Sequence, residues 1–168
     1  MTYKAGLVGT GAVSDWHADA FEATERVELV AVADIEESAL QEKASKWGIP
    51  KQNCYLDHTK MLSEEELDIV SVTTPTAFHR EHTIDAAQIG NPDVVWCEKP
   101  IAASVKEGQE MVRACEETDT ELVVNHVRRW AKPYMRLRQE ISENEILGDL
   151  HTVHAQFKIE LLRNGTHF

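Results

Sequence analysis

The chain has 168 residues, of which 42% are hydrophobic and 27% are charged, which suits one folded domain or one domain with part of another. Its formal net charge of −12 disfavours nucleic acid and anionic membrane surfaces as partners, because both attract basic proteins. The sequence shows neither a signal-peptide pattern nor an apolar run of about 18 residues, so neither secretion nor a membrane span is expected. Three widely spaced cysteines favour reduced thiols, and we therefore predict a cytoplasmic protein.

Apolar strand patterns and helical patterns alternate along the chain. The predicted strands, in order, cover residues 5–8, 27–33, 55–56, 69–73, 94–97, 122–125 and 150–161. The predicted helices cover residues 15–24, 38–47, 59–62, 79–89, 104–117 and 133–143. This alternation, with short connections, predicts an α/β fold with a doubly wound parallel sheet. A ligand site is then expected at the carboxyl ends of the strands.

The distribution of charge predicts a domain boundary near residue 125. Residues 1–125 carry a net charge of −14, whereas residues 126–168 carry a net charge of +2. A step of this kind is typical of a passage between domains, so we place a first domain at 1–125 and the start of a second at 126–168. The basic residues after the step fit either a solvated helix face or a surface for an anionic group or a partner subunit.

The loop after the first predicted strand, with the sequence GTGAVS from Gly9 to Ser14, is a dinucleotide-binding fingerprint. Gly9 permits a tight turn, Gly11 lets the backbone approach a pyrophosphate, and Ser14 is a small replacement for the usual third glycine. The next helix begins here, and its N-terminus offers free N–H groups and a positive dipole end to the phosphates. The residues predicted to bind the cofactor in this loop are Gly9, Thr10, Gly11, Ala12 and Val13.

Asp34 ends the second predicted strand 23 residues after Gly11, the place of the acidic residue that binds the ribose hydroxyls of NAD. Its carboxylate would repel the 2′-phosphate of NADP, and Glu36 and Glu37 add to this repulsion. No Arg or Lys stands at positions 35–39 to bind such a phosphate. The sequence therefore favours NAD over NADP.

The loop after the fourth predicted strand contains Thr74 and Pro75, and His79 begins the helix that follows. Pro75 is expected to form a turn beneath the nicotinamide of the cofactor. His79 and His82 lie one helical turn apart, a spacing that two metal ligands can share. No third ligand lies nearby in the sequence, so no metal site is predicted.

Lys99 follows the strand predicted at 94–97, within the segment Glu98-Lys99-Pro100. A lysine at a strand end can position a hydroxyl or carbonyl group and act as an acid or base. The segment taken alone is equally compatible with a surface salt bridge between Lys99 and Glu98.

Taken in order, the segments GTGAVS, VAVAD, VSVTTPTAFH, WCEKPIA and NHVRRW resemble the Gfo/Idh/MocA oxidoreductases, the family of glucose–fructose oxidoreductase and inositol dehydrogenase. The resemblance covers essentially the whole chain. It implies an N-terminal Rossmann domain that binds NAD(P), followed by a truncated α+β domain for substrate and oligomer contacts. It also implies a homo-oligomer that oxidises a small-molecule sugar, polyol or related hydroxyl compound, or that runs the reverse reaction.

The resemblance also implies roles for individual residues. Lys99 matches the lysine that contacts the reacting oxygen, and His167 matches a catalytic histidine, although Arg163 stands where the family has an aspartate. Lys99 and His167 would then remove the hydroxyl proton and stabilise the developing oxyanion during hydride transfer. The further places that match cofactor-binding segments are Thr74, Pro75, His79 and Glu98.

Because members of this family are longer, other interpretations stay open: a fragment, a natural truncation, or a partner that supplies the rest of the second sheet. The chain could be a dehydrogenase, a non-catalytic NAD-binding module, or an interaction fragment whose edge strand pairs with another chain. A lyase or isomerase that uses NAD transiently also fits, since the fold does not determine the net reaction.

Overall fold

A parallel β-sheet organises the part of the chain that the structure, a computed structural model, describes: residues 2–149, 151–154 and 156. The strands are β1 (Tyr3–Val8), β2 (Val27–Ala33), β3 (Cys54–Tyr55), β4 (Ile69–Val72), β5 (Val94–Cys97) and β6 (Glu121–Val124). Their order in the sheet is β3-β2-β1-β4-β5-β6, and each neighbouring pair is parallel. The predicted doubly wound sheet is confirmed, and its strand order reverses between β1 and β4, where such sheets bind ligands.

A helix follows each of these six strands, and the first five helices connect successive strands. The helices are α1 (Ser14–Thr24), α2 (Glu37–Trp47), α3 (His58–Glu64), α4 (His79–Asp85), α5 (Val105–Glu117) and α6 (Lys132–Ser142). The helix predicted at 79–89 is divided, because α4 is preceded by a 3₁₀ turn at Thr76–Phe78 and continues into a π-helical turn at Ala86–Gly90. A 3₁₀ turn therefore lies between β4 and the regular helix α4.

Apolar side chains of the central strands pack against helices on both faces of the sheet. Consecutive strand residues point to opposite faces, so Leu7 packs in one cluster with Leu40 of α2, whereas Val8 packs in the other with Met111 of α5. Fully burying a side chain such as Met111 stabilises the fold by about 1.5–3 kcal/mol. The two clusters pack on both faces of the sheet, and this packing supports the loops at the carboxyl ends of its strands.

The chain divides into two units, Met1–His126 and a second unit that begins at Val127. In the second unit, α6 has a proline at its start, and none of its residues is buried. Of the strand predicted at 150–161, residues 151–154 and 156 are described and carry no strand, since none of them pairs with another described residue. The remainder of that prediction lies outside the described residues.

Candidate functional site

The turn after β1 depends on Gly9, whose φ of +95° lies in the left-handed region that favours glycine. A Cβ atom on Gly9 would also lie 2.6 Å from Cγ2 and 2.9 Å from the backbone nitrogen of Thr74. The Gly9 amide donates to the Ala33 carbonyl at 2.8 Å, and the Thr73 hydroxyl donates to the Gly9 carbonyl at 2.6 Å. These contacts bring the loops after β1, β2 and β4 to one edge of the sheet.

The next residues leave space and hydrogen-bond donors for a ligand. A Cβ atom on Gly11 would meet nothing within 4 Å, so this face of the loop is open. Helix α1 begins without a side-chain cap, and the Ala12 and Val13 amides donate to no residue in the described part of the chain. Ser14 is buried and its hydroxyl donates to the Gly11 carbonyl at 2.5 Å, which holds the loop against the helix. Open amides at a helix N-terminus fit the pyrophosphate of a dinucleotide.

A cleft of about 380 Å³ lies beside this loop, within the range of small-molecule sites. Its lining includes five of the predicted cofactor-binding residues, namely Gly9, Gly11, Asp34, Thr74 and Pro75. Ile35, Leu56 and Phe78 supply apolar walls, and they were not predicted from the sequence. Flat apolar walls beside polar loops suit a planar base with an attached sugar.

Asp34 lies half-buried at the edge of this cleft and also binds its own chain. Its Oδ2 accepts hydrogen bonds from the Thr10 amide at 2.6 Å and the Thr10 hydroxyl at 2.9 Å. Its Oδ1 accepts from the Glu36 amide at 2.8 Å. A carboxylate has about four acceptor positions, so these three bonds leave room for a ribose hydroxyl. Thr10 is buried, and it supports Asp34 rather than lining the cleft.

A cluster of histidines forms another wall of the cleft. His82 Nδ1 lies 2.9 Å from the Thr74 hydroxyl, and the ring of His58 stands edge-on to His82 at 4.4 Å between ring centres. His58 Nε2 in turn bonds to Asp85 Oδ2 at 2.8 Å. Burial, with the nearby His58 adding to it, lowers the pKa of His82 to about 4, so its ring is neutral at pH 7.

Glu98, predicted as a cofactor ligand, lies outside the lining of the cleft and is only 7% exposed. Its Oε1 accepts hydrogen bonds from His17 Nε2 at 3.0 Å and from the Asn125 side-chain amide, while Oε2 accepts from the Lys99 backbone amide at 3.1 Å. His17 Nδ1 lies 2.6 Å from the Ser71 hydroxyl. Glu98 is therefore the centre of a buried polar network, hereafter the Glu98 network, that joins α1 to the ends of β4, β5 and β6.

The charges in the Glu98 network follow from its burial and its hydrogen bonds. Burial lowers the pKa of His17, so the ring is neutral and donates from Nε2 to the carboxylate. Burial by itself would raise the pKa of Glu98, but hydrogen bonds from His17 and Asn125 outweigh it, and the pKa is lowered. At neutral pH the network thus contains one buried, hydrogen-bonded carboxylate.

The Lys99 side chain is exposed, beyond the Glu98 network. Within the described residues its ammonium forms no ion pair, so the alternative of a surface salt bridge with Glu98 is wrong. The reason is that the Glu98 carboxylate faces inward, and of the groups of Lys99 it accepts a hydrogen bond from the backbone amide and not from the ammonium.

The remaining predicted residues are placed differently. His79 is 1% exposed and its ring bonds to the carbonyl oxygens of Thr74 and Pro100, so it supports two loops rather than lining the cleft. His167 lies outside the described residues. His17 and Ser71 were missed, because no local pattern distinguishes a helix histidine or a strand serine until the elements pack together.

Two features are absent from the described residues. No helix there combines the length and the apolar character that crossing a bilayer requires. The same residues contain no group of three side chains suited to hold a metal ion.

Comparison with known proteins places these features in context. The sequence model of the GFO_IDH_MocA family, described as an oxidoreductase family with an NAD-binding Rossmann fold, matches residues 3–126. The chain is 34% identical to the D-apiose dehydrogenase of Paraburkholderia graminis over 128 residues, which cover 76% of this chain and 33% of that protein. It is 32% identical to the D-glucoside 3-dehydrogenase of Escherichia coli, with 91% of this chain and 42% of the relative covered.

A solved structure has a similar fold. The WlbA dehydrogenase from Bordetella pertussis, in complex with NADH and UDP-GlcNAcA, is similar with a TM-score of 0.78 and 28% identity. The similarity covers 86% of this chain and 43% of the WlbA chain. The chain therefore spans less than half the length of each of these relatives.

Proposed function

Because the chain belongs to the Gfo/Idh/MocA family of oxidoreductases, we propose that it binds NAD and supports hydride transfer between the nicotinamide and a sugar, polyol or related hydroxyl compound. The observation that carries this proposal is the shared edge of the sheet. The open glycine loop, Asp34 and the Lys99 loop all follow strands that end there. Dehydrogenase chemistry requires this proximity of a dinucleotide site and an acid–base group.

Each group in the site has a separate task. The open amides after Gly11 and the N-terminus of α1 bind the pyrophosphate, and Asp34 accepts a ribose hydroxyl. The apolar walls exclude water from the cleft. When bound, the nicotinamide supplies the hydride acceptor or donor. Lys99 contacts the reacting oxygen, stabilises negative charge on it and moves its proton.

NAD is preferred over NADP for an electrostatic reason. The Asp34 carboxylate borders the cleft beside Glu36, and both would face a 2′-phosphate. The Asp34 carboxylate is held in place by Thr10 and by the Glu36 amide, so it cannot easily turn away from an added phosphate. Titration of the chain with NADH and with NADPH tests this preference.

The substitution Lys99→Ala tests the catalytic proposal. We expect turnover of polyols or sugars to fall by about 100- to 10,000-fold, the range for loss of a general acid–base group. NADH affinity should not change, because the Lys99 ammonium lies outside the cleft lining. Lys106→Ala is the matched control, since that lysine is an exposed residue of α5 away from the cleft. Undiminished turnover in Lys99→Ala would contradict the assignment.

A second candidate function is a non-catalytic NAD-binding module. One observation favours it: none of the described residues after Asn125 is buried, so they form no enclosed substrate pocket. NADH binding by calorimetry, combined with absence of turnover across a panel of sugars and polyols, would support this candidate over the dehydrogenase. The homo-oligomer implied by the family stays a prediction, and light scattering coupled to size-exclusion chromatography tests it.

A further inference from the structure

Two loops of the site meet below the cleft. The loop after β4 contains Thr74 and Pro75, which line the cleft, and the loop after β5 contains Lys99 and Pro100. The sheet joins them only at their base, where the Glu98 amide donates to the Val72 carbonyl at 2.9 Å. Proline has no N–H, so Pro75 and Pro100 each remove one donor that could otherwise link the loops. Their relative position must therefore be held by side chains.

His79, the first residue of α4, supplies this link. Its ring is 1% exposed, with Nδ1 at 2.9 Å from the Pro100 carbonyl oxygen and Nε2 at 2.8 Å from the Thr74 carbonyl oxygen. A carbonyl oxygen only accepts hydrogen bonds, so the ring donates an N–H to one loop and lies at hydrogen-bond distance from the carbonyl oxygen of the other.

Thr74 extends this link to the phosphate-binding loop. The Thr74 backbone nitrogen and methyl group occupy the space that a Cβ on Gly9 would need, so the two loops are in close contact. The Thr74 hydroxyl also bonds to His82 in the wall of the cleft. A continuous path of contacts therefore runs from Gly9 through Thr74 and His79 to Pro100, the neighbour of Lys99.

We propose that His79 is a positioning residue whose buried ring, held between the Thr74 and Pro100 carbonyl oxygens, couples the nucleotide cleft to the Lys99 loop. A nucleotide that orders the Thr74 loop then also orders the Lys99 loop, through the rigid ring between the two carbonyls. The inference that nucleotide binding drives this ordering rests on the proposed function. The contact of the ring with both carbonyl oxygens does not.

Hydrogen–deuterium exchange of the whole chain tests the link in the absence of nucleotide. His79→Phe keeps a buried aromatic ring without donors, and Arg80→Ala, at an exposed residue of the same helix, is the control. We expect exchange at residues 98–103 to be about tenfold faster in His79→Phe than in the control, the factor that corresponds to loss of one ordinary hydrogen bond. Exchange within β1 and β4 should not change. Equal exchange at residues 98–103 in both variants would overturn the proposal.

A second measurement needs no substitution and decides the matter if His79→Phe does not fold. In nitrogen-15 NMR of the unmodified chain, the His79 ring should show an N–H that is hydrogen-bonded and protected from exchange with water. A His79 ring N–H that exchanges with water as fast as that of an exposed histidine would overturn the link.

Adding NADH separates this inference from the proposed function. In the unmodified chain, NADH should slow exchange at residues 9–14, 73–78 and 98–103. In His79→Phe the slowing should be confined to the first two segments, and equal slowing at 98–103 would overturn the coupling. Absence of any NADH effect in the unmodified chain would refute both NAD binding and the coupling, while the nucleotide-free results would still decide whether His79 links the two loops.

Discussion

Two carboxylates, Asp34 and Glu98, stand at corresponding places in the fold and are used differently. Each follows a strand of the sheet, and each accepts three hydrogen bonds. Asp34 takes its bonds from the backbone and a hydroxyl of adjacent loops, and its edge stays open to the cleft. Glu98 takes two of its three from the buried side chains of His17 and Asn125. The difference teaches that the surroundings of an acidic residue, rather than its place after a strand, decide whether it binds a ligand or stabilises the fold.

Removal of the buried carboxylate should have the largest effect. Glu98→Leu leaves the donors of His17 and Asn125 buried without an acceptor, and we expect the free energy of unfolding to fall by about 2–4 kcal/mol. Glu98→Gln, which keeps the shape and one carbonyl acceptor, should lose about 1 kcal/mol. Urea unfolding of the two variants measures both values. Equal stability of Glu98→Leu and the unmodified chain would remove the distinction between the two carboxylates.

Substitution of the open carboxylate should act on binding. Asp34→Ala removes the acceptor for the ribose hydroxyls, and we expect NADH affinity to fall by about 10- to 100-fold, which corresponds to about 1.4–2.8 kcal/mol. The cost in stability should be about 1 kcal/mol, because Asp34 is only half-buried and water at the edge of the cleft can replace part of its carboxylate. Calorimetric titration measures the affinity, with Glu42→Ala as the control at an exposed acidic residue of α2 outside the cleft lining. A change in stability larger than the change in affinity would break the comparison.

Acidification should have the smallest effect, and it probes His82 in the wall of the cleft and His17 in the Glu98 network. The pKa of His82 is about 4 in the folded chain and about 6.5 in an unfolded one, so between these values the unfolded chain binds more protons. The free energy of unfolding therefore falls as the pH falls from 6.5 towards 4. The full shift is reduced by solvent screening at the partly exposed ring, and we expect a loss of about 1–2 kcal/mol.

Unfolding at pH 7 and pH 5 checks this expectation, with His82→Phe as the comparison. The variant should lose less stability on acidification but keep some dependence, since the pKa of buried His17 is also lowered. A stability that rises between pH 7 and pH 5 would contradict the assigned neutral state of both rings.

Local patterns in the sequence predicted most of the elements. The strands predicted at 27–33 and 94–97 agree with the observed Val27–Ala33 and Val94–Cys97, because continuous apolar runs mark strands buried on both faces. The helix predicted at 104–117 is observed as α5, and Ser104 caps it by accepting a hydrogen bond from the Glu107 amide at 3.2 Å. The strand predicted from 150 was not reproduced in the described residues, since an alternating pattern forms a strand only beside a partner.

The site was only partly predictable for a related reason. The glycine loop and Asp34 are recognisable because their chemistry depends on neighbours in the sequence or on a fixed spacing between successive strands. The partners of Glu98 have no such spacing: His17 lies 81 positions before it and Asn125 lies 27 positions after it. Their association depends on how α1 and β6 pack against the sheet.

The sequence by itself determined the alternating elements, the glycine loop after β1 and the acidic charge after β2, because each follows from residues close together in the chain. Only the tertiary structure decided that Asp34 faces the cleft, that Glu98 is buried in a network, and that His79 joins two loops. Burial and hydrogen-bond partners depend on contacts between distant segments, and these contacts exist only after the strands have aligned and the helices have packed on them.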